Sequence, residues 1–263
     1  MSVVKKSKRR NNYLLVLALA LNICFWFGSS DIYAKWAGVP PVPTHNGAIM
    51  MGLGDPELSF RLGAITLQNL GDGGGRVTPM RDYDYKALGE WFFLLNSLDP
   101  ASDHVPMLAA YYFGGTRVPS DVAVVVDYLS QVGLNPAGVK WRWLVHASFL
   151  ARHRLHDTDR ALDIAYKLSK MRLADDVMPL WARQMPAFLL TEKGDREAAR
   201  QITEGLILSS HAFDPNEVNF MRSYLVEQLG VDPGEVEAIM QERAKSEEAI
   251  TGRSRTLPAP QPE

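Results

Sequence analysis

From Asp55 onward, apolar residues recur every three or four positions, and strand-like alternation is almost absent. Asp55-Pro56-Glu57 announces the first of these helices, with an Asp cap, a proline in the first turn and an early acidic residue. Its apolar positions Leu58, Leu62, Ile65 and Leu67 follow helical rather than strand spacing. A second helix spans about Asp82 to Leu98 and ends at Asp99-Pro100. Further along, Val126, Leu129 and Val132 form one stripe and Ile164 with Leu168 another. Val122 to Val126 is β-branched, but it follows a polar cap and runs on into helical spacing.

The stretch Met178 to Leu208 reads as two antiparallel helices joined by a tight turn at Lys193-Gly194-Asp195. Gly194 closes the first and Asp195 caps the second. Ala198-Ala199 lies one turn into the second helix, where a neighbouring helix must come close, and Trp181 and Phe188 lie on the first. The same layout recurs. Prolines at 56, 100, 136, 179 and 215, placed early in expected helices, are 44, 36, 43 and 36 residues apart. Each interval fits two helices and short loops, so five helical hairpins result. Several second helices share an opening in which alanine follows a polar cap: Pro119-Ser120-Asp121-Val122-Ala123, Asp157-Thr158-Asp159-Arg160-Ala161 and Gly194-Asp195-Arg196-Glu197-Ala198. The last unit, Asp214 to about Ile250, turns polar, as the end of an array must.

These features resemble the tetratricopeptide-repeat superfamily over roughly Asp55 to Ile250. Gly194-Asp195 with Ala199 looks like its inter-helix turn and small position, and Trp141-x-x-Leu144 and the proline at each unit start look like family positions. The resemblance implies an all-α αα-superhelix of TPR-like hairpins, with first helices lining a concave, partner-binding face. Trp141 and Leu144 then point into their hairpin, and Arg142, His146, Phe149 and His153 share another stripe at steps of four, three and four. Trp181, Gln184 and Phe188 form the equivalent stripe of the next unit. Aromatics interleaved with Arg and His suit a groove for a protein or peptide partner. Packing between repeats uses the same residue types, and the sequence leaves that alternative open.

The N-terminus changes the picture from a free solenoid to an anchored one. Residues 1–12 are basic, with KKSKRR at 5–10, and precede the apolar run Tyr13 to Gly28. By the positive-inside rule this places the N-terminus in the cytoplasm and exports the rest of the chain. Residues 13–30 are expected to be a transmembrane signal-anchor in an inner membrane, with the C-terminal domain periplasmic. A cleaved signal peptide, ending near Ser30 or Ala34, is the rival reading, and a buried structural helix a third; bulky Phe25, Trp26 and Phe27 favour a retained anchor. Residues 31–54, with prolines at 40, 41 and 43, are expected to be a Pro-rich stalk. Residues 55–250 form the solenoid and 251–263 a disordered tail.

The 263 residues carry a net charge of −2, but all 30 acidic residues lie beyond position 30, against 23 of the 28 basic ones. That body, at −7, offers no basic face for nucleic acid. With Cys24 the only cysteine, intrachain disulfides and thiolate metal clusters are excluded. The glycine run at 71–75 follows a helix and leads to Thr78-Pro79, so it is expected to be an inter-helix loop; phosphate loops follow a strand. His146, His153 and His156 form the only histidine cluster, with His153 and His156 one turn apart if on one helix; neither metal nor cofactor is expected. Glu90, beside Trp91, would suit a general acid only if buried. The leading expectation is therefore a membrane-anchored scaffold for a cell-envelope complex. The alternatives are a helical envelope enzyme acting on a polymer such as peptidoglycan, through Glu90 or the histidines, and a secreted soluble binding protein.

Overall fold

Local capping signals set most of the element boundaries. The computed structural model describes residues 2–29, 39–73, 76–173, 177–209 and 214–256. Helix α1 is Ser2–Ser29, and a short α2, His45–Met51, precedes the repeats. The first hairpin pairs α3, Pro56–Gln68, with α4, Tyr85–Leu98. The second joins a rod made of α5, His104–Met107, a π-helical turn, Leu108–Tyr112, and a 3-10 turn, Phe113–Gly115, to α6, Pro119–Val132. The third pairs α7, Trp141–His153, with α8, Thr158–Ser169; the fourth pairs α9, Leu180–Arg183, and α10, Met185–Lys193, with α11, Arg196–Ser209. In the fifth, α12, Pro215–Ser223, runs through a π-helical turn, Tyr224–Gln228, to α13, Pro233–Thr256. The described chain is thus an all-α array of five hairpins.

Aspartates cap six of these helices, Asp232 at the start of α13 accepting from Gly234 N at 2.8 Å. Asp55 accepts from Glu57 N at 2.8 Å, Asp84 from Ala87 N at 3.1 Å, Asp157 from Arg160 N at 2.8 Å, Asp195 from Ala198 N at 3.1 Å and Asp214 from Asn216 N at 2.9 Å. Gly194 closes α10 in the left-handed region at φ 87°, as the turn demands. Val126, Leu129, Val132, Ile164, Leu168 and Ala199 are all buried, as their stripes require. One core joins the first three hairpins and reaches into the fourth; a smaller one, built on Leu180, Ile207, Met221 and Leu225, serves the last two.

Several expectations need correction. Of the apolar positions read for helix α3 only Leu67 is buried, together with Phe60 and Ala64; Leu58, Leu62 and Ile65 stay exposed. The proposed stalk is folded from Val39 on: α2 buries Ala48, Val39 and Val42 pack against the core, and Trp91 Nε1 donates to Pro40 O at 2.8 Å. A proline-rich stretch with no ladder bonds of its own leaves free carbonyls, and an indole from α4 uses one of them. Pro100 and Pro136 sit in turns ahead of α5 and α7 rather than inside them. The single helix expected before Gly194 breaks at Gln184, because Pro186 has no N–H and restricts the residue before it. The glycine run is flanked by a short antiparallel ladder, Asp72–Gly73 with Arg76–Val77, and residues 74–75 lie outside the described residues. Helix α13 continues to Thr256, past the expected start of a disordered tail, and residues 257–263 lie outside the described ones.

Helix α1 is no buried structural helix. From Tyr13 to Phe27 its large apolar side chains are exposed, Phe25 at 76%. Among the described residues, no helix is long and apolar enough to cross a membrane. The apolar run, Tyr13 to Gly28, is sixteen residues, and residues 30–38 lie outside the described ones.

Candidate functional site

A groove runs along the first helices of successive hairpins. Its main cavity, about 640 Å³, is lined by Asp103 and Tyr111 from the second hairpin, Trp141, Arg142, Trp143 and His146 from the third, and Val177, Pro179 and Trp181 at the fourth. A second cavity of about 250 Å³ continues from Trp181 and Gln184 to Asn216, Glu217 and Phe220 on α12. Trp181 lines both, so the two cavities adjoin at its ring.

The walls are fixed by bonds between hairpins. Trp143 Nε1 donates to Asp103 Oδ1 at 2.7 Å, and Trp141 Nε1 donates to Val177 O at 3.0 Å. The Lys140 side chain, only 3% exposed, pairs with Asp103 at 3.0 Å and donates to Ser102 O at 2.5 Å. Glu217 accepts from Leu180 N at 3.0 Å, tying α12 to the start of α9. Asp103 and Glu217 are therefore engaged in holding neighbouring units together. Arg142 is different: it is exposed, forms no ion pair among the described residues, and lies with its guanidinium carbon 5.6 Å from the centroid of the Trp141 ring.

A ladder of rings continues along α7. Tyr111 meets His146 at 4.8 Å between centroids, His146 meets Phe149 at 6.0 Å, and Phe149 meets His153 at 4.6 Å. Trp141 and Trp181 face each other edge to face at 5.9 Å. The stripe Arg142, His146, Phe149, His153 thus lies on one face of α7 as expected, with Trp141 and Leu144 buried inside. The equivalent stripe of the next unit is split: Trp181 and Gln184 line the second cavity and Phe188 does not. Gln184 is fully buried at the α9–α10 break, where its amide reaches Thr203 Oγ1 at 3.4 Å. Phe188 packs against Phe220 and Tyr224 at 6.0 and 5.2 Å, a contact between repeats rather than a groove surface. Tyr111, Trp143 and the Asp103–Lys140 pair were missed; they lie some 40 residues apart in sequence or in an irregular segment, where periodicity carries no signal.

The histidines do not converge. His153 ends α7, while His156 sits beyond it in the turn at φ 54°, so the two do not share a helix. Among the described residues no three His, Cys, Asp or Glu side chains are grouped to hold a metal. Glu90 lies on the exposed side of α4, without the burial that its use as an acid would need.

His146 makes the stability of the fold depend on pH. Its Nε2 donates to Ala110 O at 3.3 Å, and burial pushes its imidazole below the ordinary histidine range against the opposing pull of that hydrogen bond. The unfolded chain takes up this proton near pH ~6.5 while the folded chain resists it. The stability involved is complete above that pH and is lost as pH falls through it. Chemical unfolding should show a smaller drop between about pH 7.5 and about pH 5.5 for His146→Phe than for the wild type. An equal drop in both would place the acid sensitivity elsewhere.

No family model matches the chain, and neither a curated protein nor a solved structure is significantly similar to it. The class that the fold itself defines is an all-α array of helical hairpins with an aromatic groove along its first helices.

Proposed function

We propose that the protein is a membrane-anchored adaptor of TPR-like architecture that captures extended protein segments in a cell-envelope complex. The observation that carries this reading is the Arg142 guanidinium, exposed, without an ion pair among the described residues and held beside Trp141 at the edge of a groove walled by three tryptophans. A guanidinium in that setting takes a carboxylate bidentately, while the indoles take the apolar side chain next to it. The preferred segment is therefore one that places an acidic side chain, or a C-terminal carboxylate, beside an aliphatic or aromatic residue. The anchor rests on the exposed apolar run of α1 behind KKSKRR. Its sixteen apolar residues rise about 24 Å as a helix, within reach of a core that thins locally to match a short segment. The basic flank keeps the N-terminus in the cytoplasm and puts the array outside.

The test is capture of envelope proteins by the full-length protein from mildly solubilised membranes, comparing wild type with Arg142→Glu. Charge reversal should weaken the recovered interactions by roughly tenfold or more, an effect of hot-spot size, with the melting temperature unchanged because Arg142 is exposed. Undiminished capture by a folded Arg142→Glu protein would remove the groove from the reading.

A further inference from the structure

The two ends of the array differ in kind. At the far end α13 turns Glu235, Glu237, Gln241 and Glu242 to solvent. At the near end α2, α3 and the turn between them expose Met50, Met51, Leu53, Leu58, Leu62 and Ile65, at 38 to 91%. Leu53 is the most exposed of them, and it is held in the left-handed region at φ 57°. Glycine or asparagine would occupy that turn position without strain, so the turn presents an apolar side chain to solvent at a conformational cost. Beneath this rim lies a cavity of about 200 Å³ with an overwhelmingly apolar lining, formed by Pro40, Pro41, Met51, Leu62, Trp91 and Leu95 among others. Charges are sparse here: between Val39 and Leu70 only Asp55, Glu57 and Arg61 are charged, Asp55 caps α3, and Glu57 pairs with Arg61.

We propose that this end of the array docks on the lipid bilayer, with the α2–α3 rim sunk into the interface and the cavity beneath it open to acyl chains. The proposal rests on the anchor reading of α1. Nine residues, 30–38, separate the end of α1 from Val39, and so short a link spans at most about 35 Å. The apolar rim is thereby confined close to the surface in which α1 would sit, whereas the polar end is five hairpins away. A terminal repeat facing water needs a polar outer face, and only the far end has one. Lacking unpaired cations, the rim binds by apolar partition, so neither anionic lipid nor low salt is required. With one end fixed flat, the groove runs outward from the bilayer and its Arg142 cavity stands two hairpins above it.

The test uses the full-length chain reconstituted in phosphatidylcholine vesicles carrying doxyl-labelled lipid. Cys24, the only cysteine and an exposed one, is labelled directly with an environment-sensitive fluorophore. In a Cys24→Ser background, Leu53→Cys, Leu62→Cys and, as a reference far along the groove, Phe220→Cys are labelled in the same way. Docking predicts roughly a two-fold or greater loss of fluorescence at positions 53 and 62, since an apolar face settles about 5–10 Å into the headgroup boundary, and none at 220. The loss should be unchanged in high salt. Quenching at Cys24 without quenching at 53 and 62 overturns docking and leaves the anchor standing. Quenching at 53 and 62 without quenching at Cys24 supports docking and overturns the anchor. Labels at 53 and 62 that are shielded equally in vesicles and in detergent, in a protein that elutes as a dimer, would show that a second copy covers the rim and would overturn the proposal.

Discussion

Replacing Asp103 by alanine should be among the most damaging single changes in this protein, although the residue is partly exposed. Its partner Lys140 is 3% exposed, and among the described residues its ammonium has only the Asp103 carboxylate and the Ser102 carbonyl within bonding distance. Removing the carboxylate leaves a buried cation uncompensated, at a cost of about 3–5 kcal/mol. At about 2–4 °C per kcal/mol for a chain of this size, the melting temperature falls by roughly 6–20 °C. The reverse truncation is far milder. In Lys140→Met the carboxylate, 44% exposed, is free to hydrate and still accepts the Trp143 indole, so the loss should stay below about 1.5 kcal/mol. The double variant Asp103→Ala/Lys140→Met should recover most of the stability lost in Asp103→Ala, because the stranded charge is gone. Thermal unfolding followed by circular dichroism measures all three. A double variant as unstable as Asp103→Ala would mean that the carboxylate acts through Trp143 and the start of α5, not through Lys140.

That pair also shows where sequence reading stops. Lys140 and Trp143 belong to the third hairpin and Asp103 to the second, so nothing local marks the three as partners. Local signals carried the rest of the architecture. A polar cap with a left-handed glycine before it defines the α10–α11 turn, and amphipathic stripes such as Ile164 and Leu168 have one apolar side to bury. Helix α3 defeats this logic because it has two. Phe60, Ala64 and Leu67 form one stripe and Leu58, Leu62 and Ile65 the other, and periodicity alone does not say which faces the core. The choice is made by α4 and the proline segment packed on it. The break at Gln184 was within reach, since Pro186 two residues on is a standard interrupter. In the groove, the α7 face followed from its helical period once Trp141 and Leu144 were placed inside. The walls supplied by Tyr111 and Trp143 depended on the π-helical turn at Leu108–Tyr112 and on a bond between hairpins, neither of which leaves a periodic trace.

Phe113→Ala should match the Asp103 variant in size and differ from it in where the damage falls. Phe113 is fully buried where the first and second hairpins meet, with ring centroids of Tyr83, Tyr85 and Phe92 at 6.2, 6.5 and 5.4 Å. Phe92 in turn meets Tyr128 of α6 at 5.1 Å. The tyrosines add polar ties to this knot: Tyr85 donates to Phe113 O at 2.9 Å, and Tyr83 donates to Leu70 O at 2.9 Å while its ring closes over Gly71, where any Cβ would meet its oxygen at 1.9 Å. Burial pushes both hydroxyls up to about 12, so they remain protonated donors through the neutral range. Emptying the centre of such a knot costs about 3–5 kcal/mol, the cavity included. An array in which each hairpin touches mainly its neighbours should confine the loss. Hydrogen exchange in Phe113→Ala should therefore quicken at the amides of α4 and α6 and stay near wild type in α11. Acceleration spread evenly to α11 would show that the five hairpins unfold as one unit, and that the separate core of the last two has no stability of its own.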